Sequence, residues 1–253
     1  MYFVALLLTV QRVEEATAPA RSEIHSIHHF LATRLHHLDG SQLQQDDVTV
    51  ALLRSEQQRA LVRLTICGRE ETPVPAILQA VTTQSPFQHS QGRYEVESID
   101  LTHPRWTGIS TWPDLLAEKA GRFMRFSFAT PLITAEPDHH QSPNALPFPE
   151  PLPLFSSLAH RWRALGGPTL SGSVEQLVSA SECVVSRYRL RSLPVAVANH
   201  TGIGYLGWIE YECRKFTPRC IAALNALARL AFFTGTGYLT AHGMGSTTTY
   251  LSS

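Results

Sequence analysis

Apolar and polar positions along residues 1–118 follow the order strand, helix, strand, strand, helix, strand. Apolar residues recur every three to four positions in the helices, and short β-branched and aromatic runs indicate the strands. Ser22 is placed to cap the first helix. The predicted elements are Tyr2–Gln11, Ser22–Leu38, Val48–Leu53, Ala60–Cys67, Pro75–Thr82 and Tyr94–Leu101.

The second half repeats this order, interrupted by a proline-rich loop between Pro131 and Pro153. Gly166-Gly167-Pro168 ends its first helix and Pro218 begins its second. A turn is expected at Asn199–Gly202, between two strands. The predicted elements are Arg122–Ala129, Leu154–Leu165, Cys183–Leu190, Gly204–Cys213, Pro218–Phe233 and Thr247–Leu251.

The order βαββαβ therefore occurs twice, which predicts an α+β protein of two tandem ferredoxin-like (RRM-like) domains. Each domain would be an antiparallel sheet with two helices on one face. The boundary is placed near Trp112–Glu118, so that the domains span residues 1–115 and 119–253. A single mixed α+β domain is the alternative, because no sequence identity is visible between the halves.

The composition favours a soluble, intracellular protein, which we expect in the cytoplasm. Of the 253 residues, 43% are hydrophobic and 17% are charged, which excludes a disordered or fibrous chain. The apolar run Phe3–Val10 is too short for a membrane span, which needs about 20 residues, and it lacks the flanks of a signal peptide. Cys67, Cys183, Cys213 and Cys220 form no CxxC pair, so neither a zinc ribbon nor a thioredoxin motif is predicted.

Charge is divided unevenly along a chain whose formal net charge is zero. Residues 1–118 hold 9 basic residues against 14 acidic ones, a net of −5, whereas residues 119–253 hold 12 against 7, a net of +5. All the basic residues except Lys119 and Lys215 are arginines, whose planar fork suits phosphates. A high genomic GC content would explain the preference for arginine but not its concentration in one half. The second half is therefore where we expect contact with a polyanion.

Five histidines lie on the first predicted helix, at positions 25, 28, 29, 36 and 37. At about 100° per residue, His25, His29 and His36 share one side, next to the apolar stripe that faces the core. Polar surface filling is one interpretation. A metal site is another, because His25 and His29 have the spacing of a helical zinc pair, but no HExxH motif, cysteine or carboxylate completes it. Acid–base chemistry near neutral pH is the third interpretation, and it suits histidine better than any other side chain.

Glycines are concentrated in a loop after the last predicted helix. Gly235, Gly237, Gly243 and Gly245 lie there with His242, but the loop has neither the Gly-Lys-Ser/Thr of a P-loop nor a complete GxGxxG. The composition predicts several backbone amides that are free to approach a phosphate chain. A turn-rich C-terminus is the alternative.

Arginines also alternate on two predicted strands of the second half. Side chains at i, i+2 and i+4 project from one strand face. Guanidinium groups beside an aromatic ring are typical of contacts with an RNA backbone and a stacked base, although a solvated strand face is the alternative. The residues are Arg122 and Arg125 on the first strand, and Arg187, Tyr188, Arg189 and Arg191 on the second.

Four short segments of the second half follow one another in a particular order. They are Phe128-Ala-Thr-Pro131 followed by Leu152–Trp162, then Gly202–Tyr211, then the glycine loop ending in Gly243-Met-Gly245. In this combination they resemble the CRISPR-associated repeat-specific endoribonucleases of the RAMP superfamily, which cut precursor CRISPR RNA within each repeat. The first half resembles that family mainly in the order of its elements.

The resemblance implies two tandem ferredoxin-like domains, no cofactor, no metal and a catalytic histidine near the end of the first helix. In the family this histidine often follows leucine and precedes an acid. Leu35-His36 matches that dipeptide, although His37 follows it, and a different loop length would bring Gln44 to this position. We expect His36 to be the general base, then His37, with His29 in support.

The implied function is metal-independent cleavage of precursor CRISPR RNA by attack of a 2′-hydroxyl, which leaves a 2′,3′-cyclic phosphate and a 5′-hydroxyl. The implied partners are CRISPR repeat RNA, other proteins of an interference complex and, in parts of the family, a second copy of the chain, with no membrane. A catalytically inactive RNA-binding subunit and a small-molecule enzyme on the same fold are the alternatives. The expected RNA contacts are Arg21 or Arg34 at the phosphate, and Arg122, Arg125, Arg187, Tyr188, Arg189, Arg191, Gly235, Gly237, His242, Gly243 and Gly245.

Overall fold

The computed structural model describes ten stretches of the chain. They are residues 2–13, 47–56, 59–68, 74–82, 87–89, 92–117, 121–134, 148–197, 200–215 and 217–252. The predicted helix Ser22–Leu38 lies outside the described residues, together with every expected catalytic histidine. The chain divides into two units, one formed by Met1–Thr111 with Ala241–Gly243 and the other by Trp112–Thr240 with Met244–Ser253.

The first unit is built on one antiparallel sheet. Its strands lie in the order β2-β3-β1-β5-β4, and β6 also pairs with β1. The described elements are β1 (Tyr2–Arg12), β2 (Val48–Ser55), β3 (Arg59–Gly68), α1 (Val74–Thr82), β4 (Phe87–His89), β5 (Gly92–Asp100) and β6 (Gly108–Thr111).

Strand β1 lies in the middle of this sheet because residues 3–8 are all apolar. Its even-numbered residues, such as Leu6, pack in one core with Leu64 of β3 and with Ile77 and Val81 of α1. The odd-numbered residues Phe3, Ala5 and Leu7 face the other side and are buried as well. The continuous apolar run at the start of the sequence is therefore a strand that is buried on both faces.

The second unit contains a four-stranded antiparallel sheet in the order β10-β7-β9-β8. A short 3₁₀ helix, Thr240–His242, precedes the last strand. Among the helices of the described stretches, none is both long and apolar enough to cross a membrane. The elements are α2 (Trp112–Ala117), β7 (Phe123–Leu132), α3 (Pro151–Ala164), α4 (Val174–Ala180), β8 (Cys183–Val197), β9 (His200–Cys213), α5 (Pro218–Thr234) and β10 (Thr247–Ser252).

Alternation along β7 determines where the core of the second unit lies. Met124, Phe126 and Phe128 are buried, as their period of two predicts. The Phe126 ring meets Phe155 of α3 and Tyr211 of β9 edge-on, at centroid distances of 5.9 and 5.6 Å. The residues between them on β7 project from the opposite face of the sheet, away from the helices.

Both sheets have the strand order of a ferredoxin-like domain. In the first unit it is β2-β3-β1-β5, and in the second it is β8-β9-β7-β10, so the first and third strands of each βαββαβ series lie in the centre. The predicted α+β class with two ferredoxin-like domains is confirmed. The alternative of one mixed domain is wrong, because the strands form two separate sheets.

The predicted turn at Asn199–Gly202 is wrong for its last three residues. His200, Thr201 and Gly202 belong to β9 and pair with β8.

Further differences from the sequence prediction concern α4 and β8. Helix α4 was not predicted, although Ser173 and Gln176 form a capping box in which each side chain accepts a hydrogen bond from the other residue's backbone N–H. Strand β8 continues to Val197 instead of ending at Leu190, and it contains Pro194. Proline is tolerated there because β8 is an edge strand of its sheet.

Candidate functional site

The face of the second sheet opposite its helices carries a row of charged side chains. Arg125 of β7 lies directly opposite Glu210 of β9, which lies directly opposite Arg187 of β8. Residues that are opposite one another in antiparallel strands share a face. The register thus joins residues that are 85 and 23 positions apart in the sequence. We call these three residues the arginine row.

Glu210 holds both arginines of the row. Arg125 donates from Nε and Nη2 to Oε2 of Glu210, at 3.1 and 2.8 Å. Arg187 donates from Nε and Nη2 to Oε1, at 2.9 and 2.8 Å. The Glu210 side chain is only 4% exposed, whereas those of Arg125 and Arg187 are 37% and 65% exposed. The carboxylate is therefore covered, and the two guanidinium groups face solvent.

The charge of Glu210 is fixed by its neighbours. Burial raises the pKa of Glu210, but the hydrogen bonds and charges of Arg187 and Arg125 outweigh burial, so the pKa lies below its ordinary value. Glu210 is consequently ionised at neutral pH and cancels one of the two positive charges. The row keeps a net charge of +1 on its exposed side.

Two aromatic rings border Arg125. Its guanidinium lies over Trp208, 4.5 Å from the ring centroid, so a ring and a carboxylate restrict it from two sides. Tyr250 of β10 lies opposite Arg125 in the strand register and is 66% exposed. A fixed cation next to an exposed ring is an arrangement that can bind a phosphate and stack a base.

Strand β8 extends the same face beyond the row. Arg189 and Arg191 follow Arg187 at steps of two, and both are exposed, so the three arginines share one face as their spacing predicts. Tyr188 lies on the other side of β8, where its ring meets Phe148 at 5.1 Å. The structure thus separates Tyr188 from the arginines, because successive residues of a strand point to opposite faces.

Arg122 is placed differently from Arg125. It lies one residue before β7, and its Nη2 donates to Oε1 of Glu212 at 2.7 Å. Glu212 is also 4.0 Å from Arg214. Arg122 is therefore part of a second ion pair beside the arginine row and does not join it.

The glycine-rich loop after α5 is closed onto the end of β7. Thr236 N donates to Gly245 O at 2.9 Å, Tyr238 N to Ile133 O at 2.8 Å and Gly245 N to Pro131 O at 2.9 Å. The sequence predicts free amides in this loop, and for these three the prediction is wrong. Since the loop is largely buried, its N–H groups must find partners inside the protein.

Two glycines of this loop are required by the close approach of other backbone. Gly237 and Gly245 have φ angles of +82° and +61°, and a Cβ on them would clash with the carbonyl oxygens of Ile133 and Thr236. Arg161 of α3 donates to Gly237 O at 3.2 Å, which further fixes the loop. The local role of these glycines is therefore structural.

The remaining predicted loop residues have mixed surroundings. Gly235 and Gly243 are buried and have positive φ angles of 69° and 80°. His242 ends the short 3₁₀ helix and is half-buried. Contact of these residues with RNA stays a prediction.

The predicted catalytic residues His29, His36 and His37, with Arg21 and Arg34, lie outside the described residues. Their roles therefore stay predictions. In the part of the chain that the structure describes, no three His, Cys, Asp or Glu side chains lie together in a way that would hold a metal ion.

Three residues of this face were missed by sequence reasoning, namely Glu210, Trp208 and Tyr250. Trp208, Glu210 and Glu212 alternate on a predicted strand, which shows that they share a face. Only the register shows that this face is shared with Arg125 and Arg187.

Known proteins show the same combination of segments. Residues 126–247 match the family model of the CRISPR-associated endoribonuclease Cas6. This stretch runs from β7 into β10 and contains the arginine-bearing hairpin β8–β9, α5 and the closed glycine loop. This stretch of the chain is similar to the Cas6 family. The resemblance expected from the sequence is confirmed, and a search of curated protein sequences gives no match.

Solved Cas6 structures share the fold of this chain. A Thermus thermophilus Cas6 in a product complex aligns with a TM-score of 0.78 and 22% identity, over 98% of this chain and 99% of that one. A second Cas6 product complex aligns at 0.74 and 23%, over 99% and 100%. The product of a Cas6-related gene from Pyrococcus furiosus aligns at 0.60 and 11%, over 98% of each chain. At these identities the likeness concerns the fold.

Proposed function

We propose that this protein acts as a Cas6-type endoribonuclease, which binds CRISPR repeat RNA and cleaves the precursor within each repeat by metal-independent attack of a 2′-hydroxyl. The family match over residues 126–247 is the observation that carries the proposal. Solved Cas6 proteins of the same fold include a product complex, a substrate mimic complex and a histidine-to-alanine mutant, which supports an RNA-cleaving role for this chain with a histidine at its centre.

In the proposed reaction His36 removes the proton of the 2′-hydroxyl next to the scissile phosphate. The oxygen forms a bond to phosphorus while the bond to the 5′-oxygen breaks, and the leaving oxygen takes up a proton. The products are a 2′,3′-cyclic phosphate and a 5′-hydroxyl. His37 is the second choice of base, with His29 in support, and a guanidinium from Arg21 or Arg34 stabilises the charge on the phosphoryl oxygens.

The second unit supplies further proposed RNA contacts. The arginine row offers two guanidinium groups that are already held in place, so little side-chain entropy is lost when they meet phosphates. Arg189 and Arg191 extend the basic surface along β8, and Tyr250 offers an exposed ring for a base. The +5 net charge of residues 119–253 supports a role of the second unit in binding RNA.

A cleavage assay with end-labelled repeat RNA from the organism's own array, carried out in EDTA, tests the reaction. We expect wild type to cut and His36→Ala to lose about 10²–10⁴-fold in rate, with RNA binding retained. His160→Ala, an exposed histidine on α3, is the matched control and should cut normally. A repeat with one 2′-deoxy nucleotide at the cut site should remain intact, because the nucleophile is missing.

Other outcomes of this assay would reassign the function. Cleavage that needs a divalent ion, or that survives the 2′-deoxy substitution, contradicts the proposed chemistry. Tight binding without cleavage by wild type identifies an RNA-binding subunit of an interference complex instead. A loss in His37→Ala but not in His36→Ala moves the base by one residue and leaves the reaction unchanged.

The proposed partners follow from the same function. Processed RNA must be passed to other CRISPR-associated proteins, and a fold relative of this chain occurs in a Cas6-RT-Cas1–Cas2 complex. Sedimentation of the protein with and without repeat RNA would show whether a second copy of the chain is recruited.

A further inference from the structure

Two cysteines face each other where strands β8 and β9 meet the helices. Cys183 is the first residue of β8, Cys213 is the last residue of β9, and the two are directly opposite in the register. Cys213 N donates to Arg122 O, on the side of Cys213 away from β8. Since the N–H and C=O of one strand residue point to the same side, Cys183 and Cys213 form a non-hydrogen-bonded pair of the ladder.

This position in the ladder matches the geometry of a disulfide. The Cα atoms of non-hydrogen-bonded partners are about 4.5 Å apart and their side chains are close together. Disulfides span Cα separations of about 4.4–6.8 Å. Each thiol shifts the pKa of the other, so the two sulfur atoms are near neighbours across the ladder.

The surroundings favour reaction of one thiol with the other. The interaction with Cys183 lowers the pKa of Cys213 and outweighs the opposite effect of burial. Both cysteines are buried. Cys183 nevertheless begins an edge strand of its sheet, so fraying of that strand end would let a small oxidant reach both thiols.

We propose that Cys183 and Cys213 are a redox modification site, which hydrogen peroxide closes to a disulfide and a dithiol reopens. The Cys213 thiolate forms a bond to one peroxide oxygen while the O–O bond breaks, and the hydroxide that leaves takes up a proton to become water. The Cys183 thiol then forms the S–S bond as the S–O bond breaks, and a second water leaves. Two thiols are oxidised and one peroxide is reduced, independently of the proposed RNA cleavage.

Peptide mapping of the native protein tests the proposal directly. Trypsin places Cys183 in residues 164–187 and Cys213 in residues 192–214, whereas Cys67 and Cys220 fall in two other peptides. After peroxide, blocking of free thiols and digestion, we expect the first two peptides to be cross-linked and two of the four thiols to be lost to alkylation. Dithiothreitol should restore both thiols, and the oxidised protein should melt at a higher temperature than the reduced one.

Matched variants separate this pair from the other thiols. Cys220→Ala, in the same unit, should keep the cross-link, and Cys183→Ala should abolish it. The proposal is overturned if peroxide leaves both thiols open to alkylation after unfolding or drives them to sulfinic acid without a cross-link. It is also overturned if the linked peptides appear only when the protein is oxidised in denaturant. Since the wild-type map already decides the question, a variant that fails to fold does not affect the result.

Discussion

The third strand of each ferredoxin-like domain carries a charged residue on the face away from the described helices, but the surroundings of that residue differ between the two sheets. Strands β3 and β9 are the third strands of their βαββαβ series and lie in the middle of their sheets. On the face away from α1, β3 carries Arg63 between Leu7 and Ala51 of the neighbouring strands. On the corresponding face of the second sheet, β9 carries Glu210 between two arginines.

Burial gives the arginines of the two faces different roles. Arg63 is 1% exposed, its Nε donates to Trp106 O at 2.9 Å, and burial lowers its pKa to about 9. Its charge cannot reach a ligand in solution. Arg125 and Arg187 donate hydrogen bonds to the buried carboxylate of Glu210, and the other side of each guanidinium group is exposed to solvent. Counting arginines along the sequence therefore does not identify a binding surface until their exposure is known.

The second sheet depends on the glycine-rich loop that closes onto the end of β7. Gly245→Ala should lower the free energy of unfolding by about 3 kcal/mol or more, because a left-handed residue with a Cβ costs about 1–2 kcal/mol and the Cβ also clashes with Thr236 O. Gly166→Ala is the control, since its φ is +74° but nothing lies within 4 Å of the added Cβ. If urea unfolding shows the same loss of free energy for both variants, the close approach of Thr236 O to Gly245 does not contribute to stability.

The row itself is tested by removing both of its cations. The double change Arg125→Ala and Arg187→Ala should weaken repeat RNA binding by about 10–100-fold and reduce the salt slope of binding by about 1.5, as expected for two lost contacts with single-stranded phosphates. Fluorescence anisotropy over a salt series measures both quantities. Arg163→Ala, an exposed arginine on α3, should leave the slope unchanged. If the salt slope of RNA binding is unaltered in the double variant, the arginine row does not contact the RNA phosphates.

Glu210 is expected to stabilise the fold in a pH-dependent way. Glu210→Gln should lower the free energy of unfolding at pH 7 by about 1–2 kcal/mol, since hydrogen bonds to a charged group are lost. Because the folded pKa is below the ordinary value of 4.5, the contribution is complete above that value and fades as the pH falls towards the folded pKa. Denaturant unfolding at several pH values checks this, with the exposed Glu182→Gln as control. A difference between Glu210→Gln and wild type that stays constant down to pH 2 would contradict the ion-pair explanation.

Arg63 should give the smallest effect. Arg63→Met keeps the length of the side chain and removes a desolvated charge, so the free energy of unfolding should stay within about 1.5 kcal/mol of wild type. RNA affinity and its salt slope should not change, because the guanidinium is covered. If this variant weakens RNA binding as much as the loss of Arg125 and Arg187 does, the contrast between the two faces fails.

Much of the fold could be predicted because periodicity is a local property. The alternation of Met124, Phe126 and Phe128 fixed a strand and its buried face, and the repeated βαββαβ order gave the class. Helix α4 was missed because it has only seven residues and little apolar signal. The Ser173 and Gln176 capping box could have identified it.

The site was less predictable because it depends on register. The spacing of Arg187, Arg189 and Arg191 fixed their common face, but the sequence does not show which residue of β9 lies opposite them. Tyr188 was paired with the arginines by proximity in sequence, whereas Trp208 is the ring that meets Arg125. The free amides expected around Gly245 were wrong, because burial of a loop cannot be read from its glycine content.

The pairing of the second sheet also sets the order in which it can form. Strand β9 begins three residues after β8 ends, so this hairpin is local. Strand β7 meets β10 across roughly 120 residues of chain, and the entropy of closing such loops delays these contacts. We expect the hairpin to form early, with Arg187 already on Glu210, and Arg125 to arrive only when β7 docks. The surface proposed to hold RNA is then completed late in folding, and a chain arrested before that step carries half of its arginine row.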